Sequence, residues 1–398
     1  MIYLNKTCKY IPVLLFVSLS ATIQAQTDSI NSKSWVEKSN SYTKILIDID
    51  EKYLPEFGSS QGLAFYDSMV SVPTTANILA KRKEKEDAVA ILKEAIPKEN
   101  NLSVKQDLNI LITQSELGFR QEDFEMKKAV SFLNATGDIF RGLQTLLDDQ
   151  TIPERRKAAV TRVRKYAGLE SGYSPITDIY KERTIAKMSK PGMIYPSKQS
   201  MQVQLSRNQS IIKGIADLFK KYKITGWEDG YAALKKQLED YDAWINTNVL
   251  PKARTDFKLP PEQYQLALEG YGIDLPPAQI ASMAHALFTN IQKEMKPIAA
   301  ELAKKYHLPS NDYRAVIKFL KKDQLLGDSI IPVYKDHLSK IEEIIKDHHI
   351  VTLPERPAII RLATEAETAQ QPAPHMVAPP FLNNTGERGV FVLPLNMP

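Results

Sequence analysis

Along most of this chain, apolar residues recur with the 3.6-residue period of helices that bury one face; the pattern changes only at its two ends. Residues 40–56 present Tyr42, Ile45, Leu46, Ile49 and Tyr53 at helical spacing. Pro73-Thr74 opens a second predicted helix that Pro97 stops. Ile78, Leu79, Val89 and Leu92 form its stripe, around an almost wholly charged middle from Lys81 to Asp87. Ser103 can cap a third helix, with Ile110, Leu111, Leu117 and Phe124 as buried positions. Residues 127–149 continue in helical period, and Pro153 starts a basic helix that Gly168 halts after Tyr166. A loop is expected over 189–197. Helices then follow at Gln199–Tyr222 and Trp227–Val249, the latter with Leu234, Leu238, Tyr241 and Ile245 in register. Pro260-Pro261 and Pro276-Pro277 each open another; the helix over 277–305 should kink at Pro297, and two more cover 311–322 and 329–348.

The C-terminal pattern is different. Residues 353–398 hold 8 of the 24 prolines, a density that argues against helix. Two strand-like runs stand out there, Ala358 to Leu362 and Gly389 to Leu395, the second being the most β-prone stretch in the chain. The predicted fold class is mainly α: an elongated multi-helix domain over 26–352 and a Pro-rich tail over 353–398 that contributes one or two β-strands.

The N-terminal pattern is that of a targeting segment. Lys6 and Lys9 precede the apolar run Ile11–Leu19, and small and polar residues lead to Ala25. This is the charged head, short apolar middle and small-residue exit of a signal peptide, with cleavage expected after Ala25. A run of about 10 residues is too short for a membrane span, which takes ~20. Cys8 is the single cysteine and lies before the apolar run, so it is not placed for lipid attachment, and the exported chain would rely on core packing without disulfides. Removing Lys6 and Lys9 from 52 basic residues leaves 50 against 47 acidic, a net charge of +3. So small an excess argues against a nucleic-acid partner.

Few side chains suggest chemistry. The six histidines are His285, His307, His337, His348, His349 and His375, and no His-Glu-x-x-His occurs among them. Asp347-His348-His349 reads as a polar helix end, because adjacent helical residues diverge by about 100° and cannot easily share one ion. His285, between alanines, reads as a core or groove histidine. The basic run Arg155, Arg156, Lys157, Arg162, Arg164 and Lys165 wraps around a helix and reads as solvated surface. Glu342-Glu343 and Glu365 with Glu367 read as surface charge. No Gly-x-Ser-x-Gly and no phosphate-cradling glycine loop is present.

Four stretches carry a resemblance. They are Tyr241-Asp242-Ala243-Trp244-Ile245 with Val249-Leu250-Pro251-Lys252-Ala253; Pro261-Glu262-Gln263-Tyr264 with Leu268, Tyr271-Gly272-Ile273 and Pro276-Pro277; Ile291 with Glu294-Met295 and Ala299; and Leu353-Pro354-Glu355-Arg356-Pro357, Pro379-Pro380-Phe381, Arg388-Gly389-Val390-Phe391-Val392 and Asn396. In order and spacing the chain resembles, over roughly residues 40–398, the bacterial domain-of-unknown-function 885 family, which is similar to helical zinc metallopeptidases of the gluzincin type. The resemblance implies an active-site helix with a His-Glu motif shortly after the strand like Gly389–Asn396; its histidines and a downstream acid would bind zinc, and its glutamate would activate water. The sequence stops before such a helix. None of those ligands, nor the general base, maps onto a residue here, so no catalytic residue, metal ligand or cofactor is expected in this chain, and zinc only in a full-length relative.

What the resemblance implies is therefore the N-terminal, cleft-forming portion of an exported zinc-dependent peptidase, cut short and catalytically incomplete. The alternative is a non-enzymatic periplasmic helical peptide-binding protein. Extended peptide would add to an edge strand at 389–396. Arg388 would meet a substrate carboxylate, Phe391 would lie on the strand, and Asn384 and Asn396, with Asn383, would offer hydrogen bonds, although Asn-Asn-Thr-Gly is also ordinary turn chemistry. The cut-short reading further predicts exposed apolar surface at Val390, Phe391, Val392 and Leu393. The expected location is the bacterial periplasm or medium, the expected partners are peptides, and neither nucleic acid nor a stable membrane span is expected once the signal is cleaved. The oligomeric state stays open.

Overall fold

The computed structural model of the chain describes residues 34–323 and 329–394. The signal-peptide reading of residues 1–25, including Cys8, and the site candidate Asn396 lie outside them. Helices dominate: α1 (34–53), α2 (Pro55–Ser60), α3 (Thr75–Ala95), α4 (Leu102–Lys128), α5 (Ala135–Gln144), α6 (Pro153–Arg156), α7 (Ala158–Tyr166), α8 (Ile176–Met188), α9 (Lys198–Lys221), α10 (Glu228–Asn248), α11 (Pro261–Gly270), α12 (Pro277–Lys305), α13 (Tyr313–Leu320), α14 (Ile330–Asp347) and α15 (Glu365–Gln370). Three short strands, β1 (Ile359–Leu362), β2 (His375–Val377) and β3 (Val390–Leu393), complete a mainly α fold. None of the described helices is long and apolar enough to cross a membrane.

The chain divides into two compact units, one of residues 1–54 and 74–122, the other of 55–73 and 123–398. The first is built on α1, α3 and most of α4. Its core joins Leu46, Ala88, Val89, Leu92, Val104, Leu108 and Ile112. Thr74 caps α3 by accepting from the Asn77 N–H at 3.2 Å. The cap of α4 is Asn101 rather than Ser103, since its Oδ1 accepts from the N–H groups of Ser103 and Val104. Leu79 and Ile110, expected inside, are about half exposed. The charged stretch of α3 is not solvated throughout. Lys81 and Lys85 both reach Asp50 of α1 at 2.8–2.9 Å. Burial alone would raise the Asp50 carboxyl, and the two lysines more than offset it, leaving the carboxyl below its usual range.

The second unit packs α5 and α7–α10 around Phe140, Leu143, Val163, Phe219, Leu234 and Tyr241. Trp227 stacks on Phe219 with centroids 5.1 Å apart. Three expectations are corrected here. The helical period over 127–149 is broken: α4 stops at Lys128, residue 129 makes a parallel bridge to Ile194, and α5 restarts behind Asn134, whose side chain accepts from Gly137. A helix unmarked in the sequence reading, α8, buries Ile176, Ile179 and Tyr180. And the basic helix is not a solvated surface. Arg162 is completely buried; its guanidinium donates to the carbonyls of Met69, Tyr66 and Gly142 and to the Thr145 hydroxyl. Arg155 forks onto Asp67 at 2.7 Å to each oxygen and also reaches the Ser59 carbonyl. These two arginines tie down the irregular segment 59–69 through the Ser59, Tyr66 and Met69 carbonyls and the Asp67 carboxylate.

Helix α12 runs through Pro297 and buries little beyond Ala299 and Ala303. Its first half is exposed, His285 included, so that histidine is not a core residue. His348 and His349 do end a helix: they follow α14, and His349 takes the left-handed conformation at φ 50°.

Candidate functional site

The three strands bring the C-terminal residues together. Their order is β1-β3-β2, with β1 parallel and β2 antiparallel to β3. The register pairs Ile360 with Phe391 and Phe391 with Met376. Period-two alternation divides β3 between two layers. Val390 and Val392 pack with Ala363 and Ile359 on one face, and Phe391 and Leu393 meet Ile330, Tyr334 and Leu338 of α14 on the other. Two expectations fail as a result. The stretch expected to be an edge strand is the middle one, so its main chain over 390–392 is already paired on both sides. Val390, Val392 and Leu393 are buried and Phe391 is half-buried, so no exposed apolar strand exists there.

Beneath the sheet, α15 lies on α9. Gly214 permits the approach: a Cβ on it would stand 2.2 Å from the Ala366 Cβ. The tail was read as non-helical, yet α15 forms because Thr364 and Glu367 make a reciprocal capping box in a stretch free of proline. Glu367, read as surface charge, is buried. Arg361 holds it bidentately at 2.6 and 2.9 Å, and Gln144 donates to it at 2.5 Å. Burial would raise its carboxyl, but the arginine and the Thr364 N–H hold it below the usual range. It is a structural ion pair, not a general base.

The connection from β2 to β3 is fastened to the rest of its unit. The Arg388 backbone exchanges two hydrogen bonds with the Gln150 side chain, at 2.8 and 3.0 Å. Its guanidinium makes no hydrogen bond or ion pair among the described residues. Asn384 is spent on the turn: its Oδ1 accepts from Arg356 and from the Gly386 N–H, and its Nδ2 donates to the Glu387 carbonyl. Asn383 is tied to Gly62 by a 3.0 Å bond from Nδ2. The Phe391 ring lies 5.9 Å from Tyr334. The structure thus brings Arg388, Asn384 and Phe391 to one sheet but places only Arg388 with an uncommitted side chain.

The sheet has two edge strands, β1 and β2, and β2 is the more exposed of them. Met376 and Val377 there are 58% and 47% exposed, and Phe381 a few residues on is 64% exposed, its N–H donated to Gln61 and its ring 6.2 Å from Phe57. No partner strand lies on the outer side of β2 among the described residues. The sequence reading missed these residues, since three residues between prolines are too few to display an alternating pattern.

A zinc centre is not met by these residues. Among the described residues no group of three or more His, Cys, Asp or Glu is placed to hold a metal ion; five histidines are exposed and His375, half-buried, turns its Nδ1 to the Ala373 carbonyl at 2.9 Å.

Comparison with known proteins adds two findings. A family model described as "Bacterial protein of unknown function (DUF885)" matches residues 55–398. Among solved structures, the crystal structure titled "the putative lipoprotein from Colwellia psychrerythraea" shares the fold with a TM-score of 0.58 at 13% identity, over 89% of this chain and 67% of that one. No curated protein matches the sequence.

Proposed function

This chain belongs to the DUF885 family, and from that premise we propose that it binds extended peptides along the free edge of β2, as the cleft-forming portion of an exported peptidase of the zinc-dependent type. One observation carries the reading: an unpaired antiparallel edge strand flanked by the exposed side chains of Met376, Val377 and Phe381. An extended peptide added there would satisfy its own backbone groups against the strand and lay alternate apolar side chains on those residues. Arg388, whose guanidinium has no acceptor among the described residues, is available to a peptide carboxylate. Export rests on the charged head and apolar run of residues 6–25. The described residues do not form a ligand set for zinc.

A second reading, a non-enzymatic peptide-binding protein, needs no metal centre and uses the same edge. The test is fluorescence anisotropy of a labelled, unstructured apolar peptide titrated with the protein. Saturable binding is expected, weakened at least tenfold by Met376→Asp and by Phe381→Ala. Binding that is absent, or indifferent to both substitutions, sinks the reading. The two versions separate on whether the peptide, incubated with protein and zinc, is recovered cleaved or intact.

A further inference from the structure

The positive excess of this chain is gathered in one place. Residues 304–322 hold Lys304, Lys305, Arg314, Lys318, Lys321 and Lys322 against a single acid, Asp312, with Glu301 and Asp323 the nearest acids on either side. Six basic residues against one acid give +5, the net charge of the whole chain, so the remaining residues balance to zero. The stretch closes α12, forms α13 and ends in the 3₁₀ turn Lys321–Asp323. Helix α13 lies on the second half of α12 through Val316, which meets Ala299 and Ala303, and its opposite face is turned outward. Arg314 and Lys318, spaced i, i+4, share that outward face, and the turn adds Lys321 and Lys322.

These cations are unlike the other exposed lysines. Elsewhere a lysine is matched by an acid one helical turn away, as in Lys44–Asp48, Lys83–Asp87, Lys236–Asp240 and Lys340–Asp336. Here Arg314 comes only within 3.8 Å of Asp312, and the five lysines make no ion pair among the described residues. Apolar side chains stand between them: Tyr306, Ile317 and Leu320 are each about two-fifths exposed.

We propose that this patch docks the protein on a surface of anionic phospholipid. Basic and aliphatic side chains on one outward helix face suit the headgroup boundary, where the cations meet phosphates and the apolar tips reach the acyl edge. A nucleic acid fits less well, because it needs open ring faces for its bases. The Tyr306 and Phe319 rings pack on each other with centroids 5.5 Å apart, and each already has a lysine over it, Lys305 at 5.4 Å and Lys322 at 5.7 Å. The patch shares no residue with the sheet, so its failure leaves the peptide reading intact.

The test is co-sedimentation of the full chain with vesicles of equal parts phosphatidylglycerol and phosphatidylcholine, against vesicles of phosphatidylcholine alone. Each basic residue at an anionic surface is worth roughly five-fold in affinity, so saturable binding at least tenfold tighter to the anionic vesicles is expected, and high salt should erase the difference. Lys318→Glu combined with Lys321→Glu should remove at least tenfold of that preference, and Ile317→Ser should weaken the binding several-fold. Both variants should keep the Tm of the parent, since these side chains are exposed. Residues 1–25 are the same in every protein compared, so their own attraction to lipid does not enter the difference. Equal binding to the two kinds of vesicle overturns the proposal, as does a Lys318/Lys321 variant that binds as the parent does. A single-stranded oligonucleotide held more tightly than the anionic vesicles, and released by the same substitutions, overturns it in favour of nucleic acid.

Discussion

Replacing Gly214 with alanine sets two effects of opposite sign against each other. Gly214 lies inside α9, where alanine is the better helix former by about 1 kcal/mol. If helix propensity decided the outcome, Gly214→Ala would stabilise the protein. But the added methyl would stand 2.2 Å from the Ala366 Cβ, with Phe140 and the Ala366 Cα next nearest at 3.4 and 3.6 Å. Two carbons at rest need roughly 3.5–4.0 Å. The neighbour is the Cβ of a small residue next to the backbone of α15, not the end of a flexible chain, so α15 must withdraw by more than an ångström. Overpacking of this kind costs about 1–3 kcal/mol. Withdrawal also strains the Arg361–Glu367–Gln144 cluster, which adds to the upper end. The expected net is about 1–2 kcal/mol of destabilisation, concentrated at the tail. Denaturant unfolding followed by circular dichroism gives the global value, and hydrogen exchange of the amides over 359–370 gives the local one. A variant more stable than the parent, with unchanged protection over 359–370, would refute the argument that this glycine seats α15.

Other substitutions probe other links. Arg162→Met should cost about 1–3 kcal/mol in chemical denaturation, because it leaves the Met69 carbonyl without its donor and takes one of two donors from the Tyr66 and Gly142 carbonyls. The Asp242 carboxyl is pushed up to about 6, chiefly by burial and despite two hydrogen bonds from Asn208. The folded state therefore holds this proton more tightly than the unfolded chain, so stability should fall as pH rises from about 4 to 6, by at most about 3 kcal/mol. In Asp242→Asn, a Tm series from pH 4 to 8 should lose that slope; an unchanged slope assigns it to other groups. Gln150→Ala removes both bonds to the Arg388 backbone, and trypsin should then cut after Arg388 several-fold faster, read by mass spectrometry of timed digests, whereas equal rates would mean the connection is held by other contacts.

The sequence displayed its helices well wherever a stripe of large apolar residues repeated. Leu234, Leu238, Tyr241 and Ile245 are all buried as their spacing predicts. It displayed α8 poorly, because two of that helix's buried positions are Thr177 and Thr184, polar residues that dilute the stripe. It could not display the work of Arg155 and Arg162, since most of their acceptors belong to residues 59–69, almost a hundred positions earlier. In the tail, the apolar runs of β1 and β3 were legible as strands. The position of β3 in the sheet was not, because pairing order depends on β2, which is only three residues long. The site followed the same division: Arg388 was found from its place before a strand, whereas Met376, Val377 and Phe381 acquire meaning only once β2 is seen to be an edge.

The strand order also has a consequence for how the chain acquires its shape. β1 and β2 do not touch; each is hydrogen-bonded only to β3, which is synthesised after both. Until β3 emerges, the nascent chain carries two short strands that nothing can zip together, and α15 between them can dock on α9 without completing the sheet. Sheet formation must then wait on a contact that closes 31 residues from Ile359 to Val390, and such non-local closure is slow compared with helix formation. A chain caught at this stage exposes the edges of both strands at once.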